Sequence, residues 1–210
     1  NEMHDIKGLL KKYKKIPDER FFGDVFRGRE YKPALYRKAD VVIDVGACAG
    51  EFSAYVYKKA QVIYALEPFS EHFAELRDNI EQFGLTKIKP FKLALSNYNG
   101  EGTLVIGGRG GHKLVFGGGS DKTETVGVKT LATFMKDEGI EKVDILKIDI
   151  ENGEDEVFGS EDFSEVASKI KYIIGEHLEP NKALLETNGF KVEKYRFGII
   201  AKRWKFHLKG

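Results

Sequence analysis

Apolar residues in this 210-residue chain recur in two rhythms: short unbroken runs, and stretches with apolar side chains three or four positions apart. The first run, Val41-Val42-Ile43-Asp44-Val45, breaks into small residues at Gly46-Ala47-Cys48-Ala49-Gly50. A β-branched run without polar alternation reads as a strand buried on both faces. Glu51 to Ala60 then carries Phe52, Tyr55 and Val56 at helical spacing, so the order is strand, glycine turn, helix. Such a turn presents backbone N–H groups at a helix start, where a carboxylate or phosphate can be held. A second buried run, Val62 to Leu66, closes on Glu67-Pro68. Ser70 is expected to cap a helix with Phe73, Leu76, Ile80 and Phe83 on one face, stopped by Gly84. Ile88 to Leu95 reads as a third strand, and Pro90, lacking an N–H, assigns it an edge position.

Asn97 to Gly100 is a turn, followed by Thr103 to Ile106 and His112 to Phe116 as short extra strands. Seven glycines between positions 107 and 119 surround the second piece, which reads first as a loop and only second as an active-site lid. Thr123 to Val128 alternates apolar and polar, and Thr130 is a candidate cap for a helix over Leu131 to Gly139. Val143 to Ile148 is another central strand, running into Asp149-Ile150-Glu151-Asn152-Gly153-Glu154. A mixed helical stretch reaches Ser168, and the strand Ile170 to Ile174 ends in Gly175-Glu176-His177. After a helix from Asn181 to Thr187, Phe190 to Tyr195 and Gly198 to Phe206 form a closing hairpin across Arg196-Phe197. The implied fold class is α/β: a mostly parallel sheet with helices on both faces and one antiparallel strand near the C-terminus.

Composition narrows this picture. With 41% apolar and 12% aromatic residues the chain can bury one sizeable core. Net charge is +1, yet residues 1–38 hold eleven Lys/Arg against six acids, a local +5 that leaves −4 for the remainder. The expected organisation is therefore a basic, partly helical extension over 1–38 and the α/β domain over 39–210. A capping segment explains the extension more simply than a nucleic-acid arm does. The lone Cys48 permits no intrachain disulfide. No run approaches the roughly 20 apolar residues of a membrane helix, and no apolar signal core leads the chain, so a cytoplasmic setting is expected.

The first turn also carries chemistry. A nicotinamide or flavin site calls for Gly-x-Gly-x-x-Gly, whereas this turn reads Asp44-x-Gly46-x-Cys48-x-Gly50. An acid leading the motif would repel a pyrophosphate but can accept from an ammonium or from loop amides. Glu67, seventeen residues beyond Gly50, is positioned to accept two ribose hydroxyls, with Pro68 and Phe69 offering an apolar surface for adenine. An amino acid, a ribose and an adenine together describe S-adenosylmethionine. The simpler explanation of either acid alone is a strand-end cap; the pair at this separation favours the cofactor.

Through these residues the chain resembles a class I S-adenosylmethionine-dependent methyltransferase, and within that class the FkbM family. The resemblance runs from about Asp40 to Phe206. It is carried by Asp44-Val45-Gly46-Ala47 with Gly50, Glu67-Pro68, Ala94-Leu95-Ser96-Asn97 with Gly100, Thr130-Leu131, and Leu146-Lys147-Ile148-Asp149-Ile150-Glu151 with Glu154. It implies a three-layer, seven-stranded Rossmann-like sheet and O-methylation of hydroxyls on sugars or polyketide-type molecules. It further implies that Asp44, Gly46 and Gly50 hold the methionine end, Glu67 the ribose, and Ala94 or Leu95 the border of the adenine, with Ala47 and Pro68 completing the cofactor-binding set. Two positions depart from the family pattern: Cys48 stands where Asn is usual, and Asn152-Gly153 where Gly is usual.

Methylating an alcohol requires an in-line approach and removal of a proton. Asp149, Glu151 and His177 end strands at the edge where open α/β sheets bind ligands, and they are the candidate catalytic groups. Glu154 fits equally a carboxylate in a first helical turn. A metal held by Asp149, Glu151, Glu176 and His177 is conceivable, but nothing in the spacing demands one. The expected partner is a small-molecule or carbohydrate acceptor. Two alternatives are an RNA methyltransferase, for which only residues 1–38 speak and against which the acidic 149–154 loop weighs, and a non-catalytic binding protein that keeps the fold.

Overall fold

The computed structural model describes residues 39–106, 113–115, 122–150, 153–175, 178–195 and 198–203. The extension expected over 1–38 and most of the glycine-rich connection lie outside them, as do Glu151, Asn152, Glu176 and His177.

Strand β1 (Ala39–Val45) leads through the turn into helix α1 (Glu51–Val56), then β2 (Ala60–Leu66), α2 (Ser70–Phe83) and β3 (Ile88–Phe91). After an inserted segment come α3 (Leu131–Asp137) and β8 (Val143–Ile148), then α4 (Glu154–Phe158), α5 (Phe163–Ala167) and β9 (Ile170–Gly175). Helix α6 (Lys182–Thr187) precedes the hairpin β10 (Phe190–Tyr195) and β11 (Gly198–Arg203). These strands form one seven-stranded sheet in the order β10-β11-β9-β8-β1-β2-β3. Pairings from β9 through β3 are parallel, and β11, wedged between β9 and β10, is antiparallel to both. The expected mostly parallel sheet with one reversed strand is therefore what the chain adopts. Pro90 sits on the outermost strand β3, where no further neighbour needs its missing N–H.

Two cores make three layers. Phe52, Tyr55 and Val56 of α1 and Leu76 of α2 pack with Val42, Ile63 and Ile145 on one face. On the other, Phe134, Phe158 and Phe163 of α3 to α5 pack with Ile43, Leu66, Leu146 and Ile148. All six residues of β8 are buried, as a central parallel strand requires, and that includes Asp144 and Lys147.

The inserted segment is a second sheet. Strands β4 (Ala94–Leu95), β5 (Gly100–Val105), β6 (Lys113–Val115) and β7 (Thr123–Lys129) associate in the order β4-β7-β5-β6. The expected single strand from Ile88 to Leu95 is thus two strands in two sheets. The chain leaves β2 after Phe91 and pairs with β7 from Ala94. Two other expectations are corrected. The helix after the turn stops at Val56, because Ala60 already belongs to β2. Ser70 is the first residue of α2 rather than its cap: Phe69 holds the cap position, and no side chain of its own closes that helix end. Thr130 does cap α3, its Oγ1 accepting from Thr133 N–H at 3.1 Å. No helix among the described residues is long and apolar enough to cross a membrane.

Candidate functional site

The parallel register of β1 with β8 sets Asp44 beside Lys147, and with β2 sets Val45 beside Leu66, so strand ends from distant parts of the chain share one edge. Asp44 has no solvent exposure. Its Oδ1 lies 3.2 Å from Lys147 Nζ, and its Oδ2 accepts from Ser53 Oγ at 2.6 Å. Lys147 Nζ also donates to Gly46 O at 2.7 Å and Val45 O at 3.3 Å. Burial opposes the charge on Lys147, but the carboxylates of Asp44 and Asp149 outweigh it and hold the pKa above the ordinary lysine value. The lysine is a cationic post beneath the turn.

The turn itself requires its glycines. Gly46 has φ +75°, and a Cβ there would lie 2.0 Å from the carbonyl oxygen of Asp149, so the end of β8 can cross β1 only over a residue with no side chain. Asp149 N–H donates to Val45 O at 3.2 Å, joining the two strand ends. Gly46 and Ala47 N–H both donate to Leu66 O, and Gly50 N–H closes onto Ala47 O. Cys48 adopts φ +50°, left-handed backbone that Asn tolerates better than Cys.

Helix α2 clamps this turn from its side. Asn79 Nδ2 donates to Ala49 O at 2.9 Å, Leu76 covers Gly50, and His72 Nδ1 lies 3.6 Å from Cys48 Sγ. Burial, then Glu51 and Glu67, push the Cys48 thiol well above its usual range, so it packs as a neutral group.

Glu67 ends β2 and is 5% exposed. Its Oε2 accepts from Cys48 N–H at 2.8 Å and its Oε1 from Phe69 N–H at 2.9 Å. Burial raises its pKa to about 7, offset only in part by those two N–H groups and by more distant Lys147. Glu51, buried at the start of α1, is also raised to about 7, by burial and then by the Asp44 charge, against the pull of its own backbone N–H.

The remaining expected residues divide. Pro68 is half-buried, and Phe69 shares a core with Ala94, Leu104, Val126 and Val128, which joins the β2 end to the second sheet. Leu95 belongs instead to the main core with Val45 and Leu66. Asp149 is half-buried at the end of β8, against Gly46. Glu154 is buried in the first turn of α4, and its Oε1 accepts from Ile150 N–H at 3.0 Å, which ties the end of β8 to the start of α4. Glu151, His177 and Glu176 lie outside the described residues. Among the described residues no three His, Cys, Asp or Glu side chains group as a metal would need.

Sequence reasoning gave no part in the site to Lys147, Ser53, Glu51 or Asn79. Lys147 left a signal, since a lysine inside an unbroken apolar strand is buried only against an acid. Asn79 left none that its helical spacing distinguishes from a solvent position.

Solved structures share this architecture at low sequence identity, which speaks to fold alone. A methyltransferase FkbM from Methylobacillus flagellatus KT aligns with TM-score 0.58 and 11% identity over 95% of this chain and 59% of that one. A precorrin-6y C5,15-methyltransferase from Geobacter metallireducens GS-15 aligns with TM-score 0.53 and 16% identity, covering 91% and 92%. TrmK of M. capricolum, solved in complex with S-adenosyl-homocysteine, aligns with TM-score 0.52 and 12% identity, covering 85% and 70%. None of the curated proteins searched matches the chain. At the level of sequence, the family profile described as the methyltransferase FkbM domain matches residues 44–196. That match begins at Asp44 itself and takes in the clamped turn, the buried Glu67, the second sheet and the Asp149 loop: the chain belongs to the FkbM methyltransferase family.

Proposed function

We propose that this chain transfers a methyl group from S-adenosylmethionine to a hydroxyl of a small-molecule or carbohydrate acceptor. The observation that carries the donor half is Glu67, a buried carboxylate held by two backbone amides at the mouth of a glycine turn. Each of its oxygens accepts one N–H and keeps a second lone pair, so the carboxylate can still receive two neighbouring ribose hydroxyls. Phe69 and Ala94, from one apolar cluster, suit the flat face of a base, and the left-handed glycines let backbone approach a ligand closely. The residues present therefore fit the donor.

Asp44 takes a different part from the one its position in the sequence suggests. The ammonium that it meets is that of Lys147, and with no exposure it acts by anchoring the turn. Bound S-adenosylmethionine supplies a methyl carbon on a sulfonium, an electrophile whose leaving group needs no acid. What is left for the protein is alignment and acceptance of the hydroxyl proton. We assign that proton to Asp149, whose backbone packs on Gly46 beside the turn, with Glu151 and His177 as further candidates. Asp149 at the end of β8, with Glu151 two positions on, disfavours a phosphate backbone as acceptor.

The test is calorimetry with S-adenosylhomocysteine, followed by a screen of sugars, glycolipids and transfer RNA with a radiolabelled methyl donor. Binding with label in a hydroxyl acceptor is expected. Absence of binding would overturn the donor assignment, and label entering RNA alone would overturn the acceptor class.

A further inference from the structure

Helix α2 begins directly after the Glu67-Pro68-Phe69 segment, and its cap residue offers no side chain to its first N–H groups. The acceptor comes instead from the second sheet. Strand β7 turns Val126 and Val128 inward toward Phe69, and Glu124 continues the same alternate row. Its Oε2 accepts from Ser70 N–H at 3.2 Å, its Oε1 accepts from Ser70 Oγ, and Lys92 Nζ lies 2.8 Å from Oε1. Burial of this carboxylate is slight, and Lys92 with both Ser70 donors holds its pKa below the ordinary glutamate value, so it stays ionised at neutral pH. A carboxylate at a helix N-terminus is favoured both as hydrogen-bond acceptor and by the helix dipole.

The geometry points to Glu124 as a positioning residue for the nucleoside half of the methyl donor: by capping α2 from the second sheet, it fixes Phe69 and, through the Phe69 N–H, the carboxylate of Glu67. The inference rests on the donor reading above and adds a residue that does not touch the ligand. The chain from Glu124 to Ser70, Phe69 and Glu67 is short and contiguous, and without the cap the ligand would have to order the 67–70 segment as it binds.

The test uses the full chain and two probes, S-adenosylhomocysteine and adenosine, titrated calorimetrically, with thermal unfolding as a check on folding. Glu124→Ala is expected to weaken both probes by the same factor, roughly fivefold, about 1 kcal/mol, the usual cost of a lost helix cap. Glu124→Gln retains a carbonyl oxygen for Ser70 N–H and should stay within about twofold of wild type. Lys92→Ala, which removes the cation but not the cap, should also leave affinity near wild type. Wild-type affinity in a folded Glu124→Ala protein would overturn the positioning role and leave the donor reading standing. A loss for S-adenosylhomocysteine without a loss for adenosine would also overturn it, because the effect would then lie at the amino-acid end. A wild-type chain that binds neither probe would remove both readings. If Glu124→Ala does not fold, Glu124→Gln and Ser70→Pro, which deletes the donated N–H at a position where helices accept proline, carry the same comparison.

Discussion

Two neighbouring strands of the same sheet hold buried carboxylates at their ends in opposite ways. Asp44, ending β1, faces an ammonium, a hydroxyl and complete burial, and Lys147 is held by it in turn. Glu67, just past the end of β2, meets no cation at hydrogen-bonding distance among the described residues and leans on two amide N–H groups. The first arrangement holds the lysine charged, its pKa raised by the facing carboxylate against the cost of burial, and ties β1 to β8. The second leaves an acid whose pKa burial raises to about 7 and whose oxygens each keep a lone pair beyond the amide they accept from. A buried acid with a counter-ion builds a site, and a buried acid with only dipoles is available to serve one.

The largest expected effect breaks the first arrangement. Lys147→Met leaves Asp44 buried and unpaired and should cost about 3–5 kcal/mol in urea unfolding. Adding Asp44→Asn should restore part of that loss, and a double variant no better than the single one would contradict the pairing. Next, Glu67→Gln should keep the fold and weaken S-adenosylhomocysteine binding by about 2 kcal/mol, roughly 30-fold, the worth of hydrogen bonds to a charged acceptor. Equal affinity by calorimetry would show that Glu67 is only a structural acceptor.

The pH dependence separates the two roles further. Glu51 and Glu67 bind their protons more tightly folded than unfolded, with pKa values raised from 4.5 to about 7. Their contribution to stability is therefore complete below about pH 4.5 and is lost as pH rises through about 7. Donor binding should run the other way, weakening as pH falls through about 7, because a protonated Glu67 loses acceptor capacity. The difference in Tm between wild type and Glu67→Gln should narrow or change sign between pH 5 and pH 8, while the affinity of Glu67→Gln stays flat with pH. The smallest effect is expected for Cys48→Asn. Asn is more at ease in left-handed backbone, so thermal unfolding should show a gain of about 0.5–1 kcal/mol.

Legibility followed locality. The strand over 41–45, the helix over 70–83 and the strand over 143–148 could be read because burial on two faces or one imprints a period on neighbouring residues. The cap of α2 was misread because Ser70 is the kind of residue that caps. Its hydroxyl and its N–H are instead both directed to Glu124, 54 positions away. The split of Ile88 to Leu95 between two sheets was equally out of reach, since the break follows from where β7 lies and not from any turn residue at Lys92-Leu93.

From the chain alone came the alternation of strand and helix, the glycine turn and the acids that end its flanking strands, because these depend on residue type and near-neighbour spacing. The partners of those acids came from register. Lys147 stands beside Asp44 because β8 lies against β1 in one alignment, and a shift of one residue would direct that lysine to the other face of the sheet. The difference between an acid that meets an ammonium and an acid that meets only amides resides in that pairing, and no local pattern records it.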